Sequence, residues 1–128
     1  MTLDRKFLSF ALAYAVAGMC LGMYMAGSKN HMQYPTHAHI LLVGFAVPMI
    51  YALIHKLWLT AGAGRLAQIQ FVLHQCGVLV MSIALFLLLN QSYSEAQLGP
   101  FLGLSSGAVL VAMLMMFYMV IRSNAIKA

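Results

Sequence analysis

The sequence predicts an all-α integral membrane protein, a four-helix bundle forming one domain over residues 1–128. Three observations predict it. Of the residues, 63% are hydrophobic and only 7% charged, where a soluble domain carries about a quarter charged and just under half apolar. The mean hydropathy is +0.90. The few charges also punctuate the chain. Nothing charged lies between Lys6 and Lys29, only His interrupts Lys29 to Lys56, and Arg65–Glu95 and Glu95–Arg122 are free of Lys, Arg, Asp and Glu. Each gap holds a mostly apolar run near the ~20 residues with which a helix crosses ~30 Å of hydrocarbon. This composition excludes a water-soluble globule, a disordered chain and a nucleic-acid-binding domain. The net charge of +5 comes from seven basic and two acidic residues, and in such a chain it reports topology.

The spans are expected near 7–27, 36–59, 66–89 and 99–122. The first is too long in its apolar core, and too poor in a small-residue cleavage site, to be a cleaved signal. Gly27-Ser28-Lys29-Asn30 ends it, and Pro35 suits the first turn of the second helix. Pro48 lies inside the second span, where it must kink the helix or free a carbonyl. The third span follows Ala61-Gly62-Ala63-Gly64, and the fourth is expected to open at Gly99-Pro100. Continuous Leu, Met, Ala and Val runs argue against a membrane barrel, whose strands are about half as long.

Orientation follows from the basic residues. If four helices alternate, Arg5, Lys6, Lys56, Arg65, Arg122 and Lys127 share one side, and Lys29 with Glu95 takes the other. The positive-inside rule then makes both termini cytoplasmic and turns the loops around 28–35 and 90–98 outward. The lipid bilayer is the partner that composition itself specifies.

Most of the remaining unusual residues read as packing. Cys20 and Cys76 fall inside spans without metal-ligand spacing, as small residues filling a bundle. The eleven Met read as core filler. Gly18-x-x-x-Gly22 and Gly99-x-x-x-Gly103-x-x-x-Gly107 permit close helix approach, within one bundle or between subunits.

The histidines stand apart, because four of the five fall in predicted spans, where ionisable groups are rare and usually functional. In Thr36-His37-Ala38-His39, residues two apart on a helix differ by about 200° in azimuth and about 3 Å in height. They point to opposite sides, so they cannot readily chelate one ion together. Two ligands at nearly one depth, aimed at different neighbours, suit haem, whose iron takes axial ligands on opposite faces of a flat ring. His31 lies in a loop. His55, beside Lys56, reads as a residue snorkelling to the interface. The rise per residue places His74 about 13 Å deeper than His39. It is either part of a polar cluster with Gln70 and Gln75 near His55, or a further cofactor ligand.

Tyr34-Pro35-Thr36-His37-Ala38-His39-Ile40-Leu41-Leu42-Val43-Gly44-Phe45, then Gly64-Arg65-Leu66-Ala67 and Phe71-Val72-Leu73-His74-Gln75, resembles the small four-helix proteins related to haem-copper oxidase subunit I. That family carries a His-Ala-His-Leu-x-Leu-x-Gly-Trp segment and a later Leu-His. Phe45 here replaces the Trp, Gln75 stands where Asn is usual, and His55 stands where Tyr is expected. The resemblance covers roughly residues 18–122. It implies a b-type haem protein of a bacterial inner membrane, with His37 and His39 as haem-iron ligands and His74 as a further candidate. It does not imply an oxidase, because the copper site of that family needs an adjacent His-His pair that this sequence lacks; copper is not expected.

Three function classes follow. The first is an electron-transfer or redox haem protein; the second is a haem or gas sensor or haem-handling protein; the third is a cofactor-free accessory subunit of a respiratory complex. No single protomer can bring both members of a His-x-His to one ring. A homotrimer with His37 and His39 meeting at each subunit interface is therefore expected, the number three coming from the three-arc plan of the oxidase subunit; the alternative is a dimer or monomer in which one His is a ligand and another residue completes the site.

Overall fold

Hydrogen-bond chemistry at the helix ends sets lengths that hydropathy alone cannot. A computed structural model describes residues 1–59 and 64–127, with side chains through residue 123. It contains α1 (Leu3–Ser28), α2 (Tyr34–His39), a π-helical segment (Ile40–Ala46), α3 (Val47–Leu57), α4 (Gly64–Leu89) and α5 (Glu95–Lys127). α2, the π segment and α3 run on as one second span, Tyr34–Leu57. Among the described residues four helices are thus long and apolar enough to cross a membrane, and the chain is a multi-pass, all-α membrane protein whose outer surface contacts lipid.

Each helix starts two to four residues before its expected apolar boundary, because polar residues make good first turns. The fourth shows why. Ser94 N–H donates to Gln97 Oε1 at 3.0 Å, and Gln97 N–H donates to Ser94 Oγ at 3.2 Å. This reciprocal capping box starts α5 at Glu95. Pro100 therefore lies inside the helix, correcting the expected opening at Gly99-Pro100. α1 ends on Lys29 in the left-handed region (φ 56), the backbone form that commonly terminates helices. Of the turn expected at Ala61-Gly62-Ala63-Gly64, only Gly64 lies within the described residues.

The four spans form two antiparallel hairpins. Along α1 the covered positions are Phe7, Ala11, Gly18 and Met25, steps of four, seven and seven that keep one face turned inward. They meet the second span in reverse order. Phe7 packs on Tyr51 and His55 (ring centroids 5.4 Å in both cases), and Gly44 sits under the Tyr14 ring. Further along, Gly18 faces Leu41 and Gly22 faces His37. The Gly18-x-x-x-Gly22 pair is therefore used within the chain. α4 and α5 make the second seam, with Gly77 under Ala108 and Val109 and Gln70 Nε2 donating to Ala112 O at 3.4 Å. At the end holding the termini, Phe7, Tyr51, Ala52, Ala67, Met116 and Met119 join all four spans in one core cluster. At the loop end, Gln33 Nε2 donates to Phe86 O at 3.1 Å.

Cys20 and Cys76 are both exposed. This corrects the reading of them as bundle filler: both face outward from the chain. Among the described residues, nothing beyond their own helix backbone lies within 4 Å of where a Cβ would stand at Gly99, Gly103 and Gly107, so that row faces outward too.

Phe7 is 0% exposed and Phe10, one turn on, is 45% exposed. Phe7→Ala is expected to lower stability by about 3–5 kcal/mol, and Ser94→Ala by about 1 kcal/mol through loss of the cap. Phe10→Ala should cost far less than Phe7→Ala. Unfolding of the three variants in mild detergent checks the order.

Candidate functional site

The site begins with the local chemistry of the second span. Pro35 enters at the first turn of α2, where its missing N–H is not needed. Ile40 N–H is shared between His37 O and Thr36 O, which closes the α-helical part. Seven residues later Val47 N–H donates to Leu42 O, five positions back, and this defines the wide π turn. The next donor in that register would be Pro48, which has no N–H. Val43 O thus loses both helical donors: Val47 N–H is spent on Leu42, and Pro48 has none to give.

His37 and His39 leave α2 on different sides, as their spacing requires. The His37 ring is half-buried against α1, and its Nδ1–H donates to Gly18 O at 2.8 Å. Space for it comes from Gly22, where a Cβ would stand 2.9 Å from His37 Cε1. His39 is exposed, and its Nδ1–H donates to Pro35 O on its own helix at 2.7 Å. A carbonyl can only accept, so both rings carry their proton on Nδ1. Both Nε2 lone pairs are left without a hydrogen-bond partner among the described residues. A neutral imidazole with Nδ1–H tied to a carbonyl and Nε2 free is the state in which histidine binds a metal ion.

His74 belongs to a different group. It is fully buried, its ring stands edge-on to Tyr51 (centroids 5.2 Å), and its Nε2–H donates to Val43 O at 3.0 Å. It meets the second span four residues inward of His39, roughly 6 Å of helix rise, rather than the ~13 Å that span boundaries suggest. The π segment and the early start of α4 account for the difference. Gln70 and Gln75 are buried nearby on the same helix. His55 corrects its expected role: it is 7% exposed and stacks on Phe7 at an interplanar angle of 14°, so it faces the core and does not snorkel outward. His55 Nε2, Gln70 Oε1 and His74 Nδ1 are buried without a partner among the described residues. His31 is exposed, in the loop before α2.

Among the described residues no three His, Cys, Asp or Glu side chains converge as a metal-holding group. What these residues offer is two separate imidazoles, each with its Nδ1–H on a backbone carbonyl. The chain matches no protein-family model, no curated protein and no solved structure, so the likeness to oxidase subunit I rests on its motif residues alone. Sequence reasoning missed Gly22 as the cradle of His37 and Val43 O as the partner of His74. One signal was present: Pro48 inside the second span frees a backbone carbonyl there.

The cradle is testable by adding a methyl. Gly27→Ala enters open space and should leave stability unchanged or slightly raised. Gly22→Ala must displace the His37 ring, and it should lower the melting temperature measured in the same detergent.

Proposed function

We propose that the chain is a b-type haem protein for electron transfer in a bacterial inner membrane, with His37 and His39 as its iron ligands. One observation carries the reading: two imidazoles at one depth, each with Nδ1–H fixed on a backbone carbonyl and Nε2 free. The donor set fits the group. Neutral imidazole is the usual axial ligand of low-spin haem, and a hydrogen bond at Nδ1 both orients the ring and makes Nε2 a better donor. A haem bound there would take up and release single electrons at its iron. Gly18 O and Gly22 hold the His37 ring against α1, while Pro35 O holds the His39 ring on the lipid-facing side of α2. We leave His74 out of the ligand pair, since its Nε2–H is already given to Val43 O.

The two rings lie on opposite sides of α2, so the second ligand of each iron comes from another copy. A closed ring of chains satisfies every His37 and His39, and likeness to a three-arc oxidase subunit favours a homotrimer with one haem per interface. The outward row of Gly99, Gly103 and Gly107 leaves α5 able to approach a neighbouring helix closely. We assign both termini to the cytoplasm; the grouping of Arg5, Lys6, Lys56, Arg65 and Arg122 at the end that carries them supports this.

A reduced-minus-oxidised spectrum of the purified protein, with haem quantified per chain, tests the function. Sharp low-spin bands are expected, lost in His37→Ala and in His39→Ala and kept in His31→Ala. Absence of haem from protein made with an adequate haem supply assigns the chain instead to the cofactor-free accessory class. Carbon monoxide binding to the reduced form indicates an open coordination position and favours the sensor or haem-handling reading. In native mass spectrometry a trimer with three haems is expected; a haem-replete monomer with bis-His bands overturns the interface arrangement. Reporter fusions at residues 30 and 93 should read external and one at 128 cytoplasmic, and the reverse pattern overturns the orientation.

A further inference from the structure

We infer that His74 is a positioning residue: its Nε2–H replaces the donor that Pro48 withholds from Val43 O, and so holds the wide turn that aims His37 at α1. The inference concerns the chain itself and stands or falls independently of what His37 and His39 bind.

The π segment contains one residue more than an α-helix would use to join the same two ends. Without that wide turn, α2 would be rotated by about 100° against α3. Both flanks are fixed by packing. α3 is held by Tyr51 and His55 against Phe7, and α2 by His37 in the Gly22 cradle and on Gly18 O. The surplus residue between them has to be absorbed where it lies, and Gly44 under the Tyr14 ring keeps the segment close to α1 while this happens.

Absorbing it exposes a carbonyl. In a bundle core surrounded by hydrocarbon no water competes to bond a backbone oxygen, and an orphan there is costly. Val43 O would be such an orphan, because its π-register donor is position 48. His74 answers it from α4, the neighbouring hairpin, at 3.0 Å. The imidazole is fully buried, and Tyr51 packs edge-on against it, which limits its reorientation. One side-chain bond thus completes the backbone of another span and ties the two hairpins at mid-depth. Because the tied carbonyl lies in the turn that sets the azimuth of α2, loss of this bond reaches His37 without any contact between the two histidines.

Two carbonyl signals read this directly in protein without any cofactor. Val43-Gly44 is the one Val-Gly step in the sequence, and Gly18-Met19 is one of two Gly-Met steps. Carbonyl-13C valine with 15N-glycine therefore isolates the Val43 carbonyl. Carbonyl-13C glycine with 15N-methionine gives two peaks, and Met23→Leu, at an exposed position, removes that of Gly22 and so identifies that of Gly18. In His74→Ala both the Val43 and the Gly18 signals should move. His74→Gln, which keeps an amide donor of similar reach, should leave both near their wild-type positions. Pro48→Ala restores a backbone N–H at the missing position, so in the double variant with His74→Ala both signals should return. A Gly18 signal that ignores the loss of His74 overturns the positioning role. Shifts that neither His74→Gln nor Pro48→Ala reverses assign His74 to packing alone. Should His74→Ala fail to fold, the double variant decides: a folded protein with both wild-type signals supports the bond, and failure there as well overturns it.

Discussion

Inside a hydrocarbon layer every backbone carbonyl must find a donor within the protein, and one proline breaks that accounting. Pro48 withholds the N–H that the π register would give to Val43 O, and His74 makes up the loss from the other hairpin. Much of the bundle can be read outward from this bond. It ties the α1–α3 hairpin to the α4–α5 hairpin between the core cluster at one end and the Gln33–Phe86 bond at the other. It also lets the second span carry one surplus residue while presenting Tyr51 and His55 to Phe7 and His37 to Gly22. The ladder of contacts on α1 depends on both ends of that span being in phase.

The sequence shows the fold clearly because charge is so scarce: four uninterrupted apolar runs admit few other architectures. Helix ends were less legible, since apolar runs mark the hydrocarbon and not the hydrogen-bonding. Ser94 and Gln97 started α5 ahead of Gly99-Pro100, and that reciprocal capping pair was readable in the sequence from the outset. The second span was legible only in part. Pro48 signalled a freed carbonyl, but which carbonyl depends on register, and the register depends on packing against α1.

For the histidines, local geometry was readable and tertiary placement was not. A two-residue spacing dictates that His37 and His39 diverge, and they do. That His37 meets a glycine on α1, and His39 nothing beyond its own helix, is decided by how two helices approach. His55 illustrates the converse. Its position beside Lys56 suggests an interfacial residue, yet the azimuth of α3 turns the two side chains apart, one onto Phe7 and one outward. The cysteines erred in the same way, because a small residue in an apolar run carries no mark of which face it occupies.

The surplus residue in the Ile40–Ala46 turn also has an evolutionary reading. A wide turn of this kind is how a helix accommodates a single inserted residue without disturbing what lies on either side. Removing one residue there and replacing Pro48 would restore ordinary helical pairing and give Val43 O a backbone donor, leaving an imidazole at position 74 without an acceptor. Chain length in the second span and side-chain identity in the third are therefore expected to be inherited together. Relatives of this protein should divide into those with the longer segment, a proline and a donor on the third span, and those with none of the three.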